Sequence, residues 1–436
     1  MSHSIDPSPG TAGDAPRAAP TPPLPRTSPS PARGSRRGPR TGDRLTGLDL
    51  ARGLAVLGMF VIHVGLGWSG ADGANVLTPL VAGRAAALFA LLAGVSIALI
   101  SGGSTPRTGA DMGVALWRVV VRGLLMLPLG TALTMLGAPV AVILAYYAVF
   151  FVLAVPLLQE RWKIVAGTTA VLAVAGPLAS FWLRGLIAGG PLRAAAAAVD
   201  AYDPLVALGA DGLLDLLLTG AYPAFTWLPF VLAGLAIGRL DLRAARVRWC
   251  LVGVGAALAA GAHGVSWVVL GPLGGRERLA GAFAGAPMED YGGAPDLDAA
   301  LAGGLPGTVP VNDPVWLLVT APHSGTPLEV LGAGGIAIAV LGVCLLAGRA
   351  LRWVLYPVVA VGALSLTTYV GHVLVIWAAD SGLLEGGVLS FVATDLALSV
   401  VGGALAGATL WRLTGRRGPL EALVHAVSLA VARRIP

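Results

Sequence analysis

Charged side chains are scarce in this chain. Only 12% of its 436 residues are Asp, Glu, Lys or Arg, whereas 56% are hydrophobic, and its mean hydropathy is +0.79. A soluble protein carries roughly 25% charged residues. The composition therefore excludes an ordinary soluble domain. It predicts an all-α, polytopic transmembrane bundle, because helices satisfy their backbone hydrogen bonds internally and can cross a bilayer.

Cysteines and cofactor motifs are also scarce. The two cysteines, Cys250 and Cys344, lie in apolar segments, so their spacing indicates neither a disulfide framework nor a zinc site. We interpret both as packing residues. A Walker A loop, a dinucleotide-binding fingerprint, an HExxH motif and a nucleophile elbow are all missing from suitable contexts. The sequence therefore predicts no metal and no permanently bound cofactor.

The basic residues follow a membrane pattern. The formal net charge is +6, but the arginines lie in the connections between apolar segments and not in one basic domain, so nucleic acid is not an expected partner. If the arginine-rich N-terminal region is cytoplasmic, ten spans place the other basic connections inside as well. This distribution predicts cytoplasmic termini and a multi-pass protein of the cytoplasmic membrane.

Hydropathy divides the chain into three parts. Residues 1–42 are rich in Pro, Ser and Arg and are expected to form a disordered cytoplasmic tail. Residues 43–412 form the transmembrane domain, with an external connection at 272–326 that is a candidate lid. Residues 413–436 form a cytoplasmic amphipathic segment, interpreted mainly as an anchor on the inner leaflet.

Ten apolar segments within the transmembrane domain have the length of a spanning helix. They are predicted near residues 47–68, 82–101, 114–136, 138–158, 163–187, 222–239, 247–271, 327–347, 354–379 and 387–411. An eleventh helix at 204–220 is either interfacial, re-entrant or spanning, and the charge distribution argues against a span. In the second segment, small residues recur every fourth position through Gly94, which predicts close helix packing.

The first apolar segment carries three ionisable residues, Asp49, Arg52 and His63. Such groups are costly in a membrane helix and mark functional sites by default. Arg52 and His63 are three helical turns apart, so they share a face and lie about 16 Å apart along the axis. We predict that Asp49, Arg52 and His63 are all catalytic. The arginine, with Asp49 one turn before it, is a cation that can hold an anion, and the imidazole of His63 can act as a general base.

Five further residues are candidates for substrate binding because the predicted topology places them near the external side. Most of them also have a structural interpretation: Arg84 can snorkel to lipid headgroups, Glu329 can pair with the dipole of its own helix, and Tyr369 and His372 can form interhelical hydrogen bonds. The five are Arg84, His323, Glu329, Tyr369 and His372.

Several motifs resemble the transmembrane acyltransferase superfamily. The stretch LDLARGLAVLGMFVIH is similar to the first helix of acyltransferase-3 proteins, in which ten residues separate an arginine from a histidine. The stretches GRAAALFALLAGVS, HSGTPLE and GALSLTTYVGH resemble YeiB-like and heparan-α-glucosaminide N-acetyltransferase-like membrane proteins. The chain lacks the HASWNG-type and DLVFP-type sequences of the heparan enzymes. The likeness extends from about Arg44 to about Ala406.

This resemblance implies transfer of an acyl group, usually acetyl, from cytoplasmic acetyl-CoA or another acyl-CoA to an external hydroxyl or amine. The acceptor is a glycan, a lipid or a small molecule, and His63 and Arg52 match the family's histidine and arginine. The charged first helix also allows an alternative function, because a permeation route requires polar groups inside the membrane: the protein would then be a transporter or exporter of a polar or lipid-linked solute.

Overall fold

The computed structural model describes residues 45–65, 77–287, 293–348, 350–351, 353–386 and 389–435. Regular structure in these ranges is helical, at 74% helix with no strands, which confirms the all-α prediction. The predicted tail at 1–42 lies outside the described residues. The first helices are α1 (Thr46–Val64), α2 (Thr78–Val81), α3 (Arg84–Ile100), α4 (Gly109–Met135), α5 (Leu144–Ala154), α6 (Trp162–Ala188), α7 (Arg193–Tyr202), α8 (Pro204–Ala207) and α9 (Ala224–Gly238).

The second half of the chain continues in the same way. Its helices are α10 (Ala245–Leu270), α11 (Gly275–Ala284), α12 (Leu297–Gly303), α13 (Pro327–Ala347), α14 (Tyr356–Ala363), α15 (Ser365–Asp380), α16 (Ser390–Thr394), α17 (Leu396–Leu413) and α18 (Pro419–Ala432). Short 3-10 turns at Val155–Leu157 and Pro314–Leu318 and a π-turn at Asp215–Thr219 complete the described elements.

Each of the ten predicted segments contains a helix, but fewer than ten have spanning length. Among the described residues, seven helices are long and apolar enough to cross a membrane, and the bent pair α14–α15 brings the number to eight. The shorter apolar helices include α5 with its 3-10 turn and α9. Large apolar side chains such as Val171, Trp182 and Trp249 are exposed, as expected for helices that contact lipid.

The helix boundaries differ from the predicted ones for local reasons. Helix α5 begins at Leu144 and not near 138: Pro139 disfavours helix at Ala138, the residue before it, and residues 139–143 are also non-helical. Helix α17 begins at Leu396 and not near 387, because Asp395 caps it by accepting a hydrogen bond of 2.9 Å from the Leu398 amide. Residues 204–220 hold only helices of four and five residues, too short for an eleventh span.

Close helix crossings are made through glycines. A Cβ atom on Gly94 of α3 would lie 1.8 Å from the Val231 carbonyl oxygen of α9, and one on Gly234 would lie 1.8 Å from that of Leu91. Helices α1 and α14 cross in the same way, with Gly362 against the Asp49 carbonyl. Small residues in these positions let the backbones touch, as in many membrane helix pairs.

The external connection predicted at 272–326 is folded. Its helices α11 and α12 and its 3-10 turn surround the fully buried Trp316 and Leu279, and Phe181 of α6 joins the same apolar cluster. Residues 288–292 of this connection lie outside the described part. The two cysteines also differ from each other: Cys344 is buried, whereas Cys250 is exposed and does not pack as expected.

The ninth predicted span is broken. Helices α14 and α15 meet at Leu364 with a bend of 87°, so the first amide groups of α15 have no carbonyl partner from a preceding turn. The carboxylate of Glu421, on α18, accepts hydrogen bonds from the amides of Leu366 (2.8 Å) and Thr367 (3.1 Å). The C-terminal helix is thus fixed to the break by a side chain and is more than a surface anchor.

Candidate functional site

One end of α1 carries an arginine held in place by two side chains. Arg52 forms an ion pair with the buried Asp49 at 3.1 Å, one turn earlier on the same helix. Its other terminal nitrogen donates to the Ser96 hydroxyl of α3 at 2.7 Å, and Ser96 in turn donates to the Leu92 carbonyl. The predicted pairing of Asp49 with Arg52 is therefore present, and the guanidinium has a fixed orientation.

The other end of α1 carries a histidine pair. His63 Nδ1 lies 3.0 Å from Nε2 of His372 on α15, and the planes of the two rings are nearly parallel, at 4°, with their centroids 5.2 Å apart. The Nδ1–H of His372 donates to the Tyr369 carbonyl. This donation fixes the tautomer of His372, whose Nε2 must then accept from the Nδ1–H of His63. The remaining nitrogen, His63 Nε2, carries a lone pair and can accept a proton.

Aromatic rings surround this pair. Phe60 and Tyr369 lie against the His372 ring, with centroids 4.4 and 4.9 Å away. The Tyr369 hydroxyl accepts a hydrogen bond from the Ile143 amide at 3.3 Å, so it makes the interhelical bond that was one of its two predicted roles. On its other side, Tyr369 stacks with Phe89 at 6.2 Å.

A cavity of about 190 Å³ lies at the Arg52 end. Arg52 and Arg122 supply its positive charge, and Phe89 and Tyr147 supply aromatic walls. Phe89 therefore connects the two ends, because it lines the cavity and also stacks on the tyrosine that contacts His372. Arg122 was not among the predicted site residues, because by sequence it is an ordinary topology residue; it lines the cavity only because of how α4 packs.

A third cluster brings together the remaining candidates. The Glu329 carboxylate, in the first turn of α13, accepts from the amides of His323 and Gly325, both at 2.6 Å. Arg84, at the start of α3, donates to the Pro79 carbonyl. The preceding residue, Gly83, packs against Pro322 and the Glu329 carboxylate. These contacts make Glu329 the fixed centre of a loop that holds His323.

His323 has an unusual backbone and a buried ring. It is the only described non-glycine residue with positive φ, at 56°. Two hydrogen bonds hold that conformation: the His323 amide donates to the Glu329 carboxylate, and the Gly307 amide donates to the His323 carbonyl. The ring stacks on Trp227 at 5.5 Å and meets the edge of Tyr222 at 5.4 Å. Burial lowers the pKa of His323 to about 4, so the ring is neutral at pH 7.

The predicted residues thus fall into three groups: Asp49 with Arg52, His63 with His372 and Tyr369, and His323 with Glu329 and Arg84. His63 and His323 are close enough to interact electrostatically. Outside these groups, His263 bonds the Ala259 carbonyl of its own helix at 2.9 Å. Within the described ranges, no three His, Cys, Asp or Glu side chains are placed to hold a metal ion.

Comparison with known families gives one match. The model of the family described as "Protein of unknown function (DUF418)" matches residues 299–430, and this is a family of membrane proteins related to YeiB. The matched region includes His323, Glu329, His372 and Glu421, whereas the α1 residues precede it. The match agrees with the resemblance of the late motifs to YeiB-like proteins, and its description states no activity. No curated protein matches the chain.

Proposed function

We propose that this membrane protein is an acyltransferase that moves an acyl group, in the simplest case acetyl, from cytoplasmic acyl-CoA to a hydroxyl or amine of an external acceptor. The observation that carries the proposal is the hydrogen-bonded chain from the Tyr369 carbonyl through His372 to His63. It leaves His63 Nε2 as a base, on the same helix that contributes Arg52 to the cationic cavity.

In the proposed reaction, His63 Nε2 takes the proton of the acceptor hydroxyl or amine as that atom attacks the thioester carbonyl carbon. A carbon–oxygen or carbon–nitrogen bond forms, and the carbon–sulfur bond breaks as the tetrahedral intermediate collapses. The departing thiolate takes the proton from His63 and leaves as the CoA thiol. His372 accepts from the His63 Nδ1–H throughout, so it holds the ring and stabilises its transient charge.

The donor would enter from the Arg52 end. Arg52 and Arg122 would pair with its phosphate oxygens, since guanidinium groups match phosphate geometry. The pantetheine arm that carries the thioester would follow Phe89 and Tyr369 toward the histidines. The positive-inside distribution puts this end on the cytoplasmic side, where acyl-CoA is found, and the acceptor, a glycan, a lipid or a small molecule, on the other.

The competing proposal is a transporter that uses the same polar helix face. The packing supports the enzyme better, because the fully buried ring of Tyr369, stacked on Phe89, occupies the space between the cavity and His372. Transport would require these rings to open a path for a whole solute, whereas acyl transfer requires them to admit only the narrow end of the thioester arm.

Purified protein in lipid vesicles can separate the two functions. We expect labelled acetyl-CoA supplied on the Arg52 side to be converted to free CoA, with the label recovered in an envelope glycan or lipid fraction supplied on the other side. Solute uptake that consumes no acetyl-CoA, with no labelled product, would favour the transporter and overturn the proposal.

Replacing His372 tests the relay. The change His372→Phe preserves the aromatic packing but removes the acceptor for His63, so we expect kcat for acyl transfer to fall about 100-fold. The KM for acetyl-CoA should not change, because the donor phosphates bind at the other end.

The conservative change His372→Gln offers a carbonyl oxygen to the His63 Nδ1–H and should restore most of the activity. Equal losses in the Phe and Gln variants, or a rise in KM without a fall in kcat, would contradict a positioning role for His372.

A further inference from the structure

The break between α14 and α15 creates a helix N-terminus inside the protein. Such a terminus presents free amide groups and a partial positive charge, and it commonly binds phosphate or carboxylate. Here it is occupied by Glu421, which binds the two amides described above and also accepts from the Thr367 hydroxyl at 2.5 Å. The Leu420 amide donates back to that hydroxyl at 3.2 Å.

This N-terminus opens into the cavity already described. Ser365 and Leu366, the first residues of α15, line the cavity together with Glu421, Arg52 and Arg122. Helix α18 also contributes Val424 to the lining. Glu421 is thus the carboxylate that the chain itself places in a cationic cavity.

The arginines around the cavity outnumber the carboxylates that pair with them. Arg122 lies within electrostatic range of Arg52, Arg118 and Arg417. Of these four, only Arg52 forms an ion pair with a carboxylate within the part of the chain that the structure describes. The Nε atoms of Arg118 and Arg122 are buried without a hydrogen-bond partner. Mutual repulsion of this kind is relieved by a bound anion.

A second unpartnered group points to a ligand. Tyr147 lines the cavity and is 3% exposed, and its buried hydroxyl has no hydrogen-bond partner in the described structure. A buried hydroxyl without a partner has lost its hydrogen bonds to water and gained none in return, which destabilises the protein. A polar ligand that reaches this hydroxyl would remove that cost, and the neighbouring aromatic rings would suit an apolar portion of the same ligand.

We propose that the N-terminus of α15, with Arg52 and Arg122, is a binding site for a diphosphate ester, and that Glu421 occupies it as an internal competitor. A phosphate group takes over the amides of Leu366 and Thr367 as Glu421 withdraws with α18. Identifying the ligand as acyl-CoA rests on the proposed function. A polyprenyl diphosphate lipid carries the same chemistry.

The position of α18 is suited to this exchange. It is joined to α17 by the short connection 414–418, in which Gly415 has a positive φ of 72°. The Glu421 carboxylate folds back close to Gly418 of the same connection. Since the phosphate and the carboxylate compete for the same two amides, donor binding and docking of α18 oppose each other.

Binding to the full-length protein in detergent tests this proposal, with CoA, farnesyl diphosphate and inorganic pyrophosphate as probes. The change Glu421→Gln keeps a carbonyl cap but removes the competing charge, so we expect tighter binding of the preferred ester by about tenfold. The change Arg122→Gln should weaken it by a similar factor. The ester that binds more tightly identifies the source as CoA or lipid.

Asp395→Asn is the matched control, because Asp395 caps α17 through the Leu398 amide and does not line the cavity. Its affinity should equal that of the unmodified protein. Unchanged or weaker binding in Glu421→Gln would overturn the competition, and no binding of any probe to the unmodified protein would overturn the site. His63→Ala should bind normally, so a failure of the proposed catalysis is distinguishable from a failure here.

Discussion

Replacing His63 with alanine should reduce acyl transfer about 100- to 10,000-fold, the range expected when a general base is removed. The residue supplies the free Nε2 lone pair, and no other described histidine has the same arrangement: His372 commits Nδ1 to the Tyr369 carbonyl and Nε2 to His63. The measurement is the rate of acetyl transfer from acetyl-CoA by purified protein in vesicles. The KM for acetyl-CoA should change little, since Arg52 remains in place.

His263→Ala is the matched control for this experiment. His263 is likewise a histidine in a membrane helix, but it lies on α10 outside the three clusters, and its Nδ1 bonds the Ala259 carbonyl of the same helix at 2.9 Å. Its variant should retain full activity. Full activity in His63→Ala, with normal amounts of protein in the membrane, would show that His63 is not the base.

Gly94→Val should destabilise the bundle by about 3 kcal/mol or more, because overpacking a close contact forces the backbones apart. A Cβ atom on Gly94 would lie 1.8 Å from the Val231 carbonyl oxygen and 2.8 Å from the Leu235 amide nitrogen. Neither backbone atom can rotate away as a side chain can. Helix α3 also carries Ser96, which orients Arg52, so the variant should lose both thermal stability in detergent and activity.

Gly113→Val on α4 is the control for this substitution. It is a membrane-helix glycine with no heavy atom within 4 Å of its added Cβ, so the same change should leave the melting temperature within a few degrees. A Gly94→Val protein that unfolds at the same temperature as the Gly113→Val protein would show that α3 and α9 do not cross as closely as the structure has them.

The sequence predicts the helices better than it predicts their ends. Apolar length located a helix in all ten segments, because hydropathy and the helical period are local properties. The breaks arise from particular residues, such as Pro139 before α5, and the 87° bend at Leu364 depends on a partner 57 positions later. Since Glu421 stabilises the freed amides of α15, no window of sequence around the bend shows why it persists.

The candidate site divides in the same way. Asp49, Arg52 and His63 were recognisable because ionisable groups on one face of a membrane helix are costly, and Asp49 pairs with Arg52 by simple helical spacing. Their partners on other helices were not recognisable from the sequence. Ser96, Arg122 and Glu421 carry no local signal in the sequence that assigns them to the site.

The sequence by itself determined that this is an all-helical membrane protein with a charged first helix, because composition and periodicity fix which surfaces can face lipid. Only the tertiary structure decided that His372 orients His63, that Arg52 and Arg122 share a cavity and that Glu421 occupies the N-terminus of α15. These are contacts between residues up to several hundred positions apart. They depend on how the glycine-lined helices pack, and helix packing has no local signature in the chain.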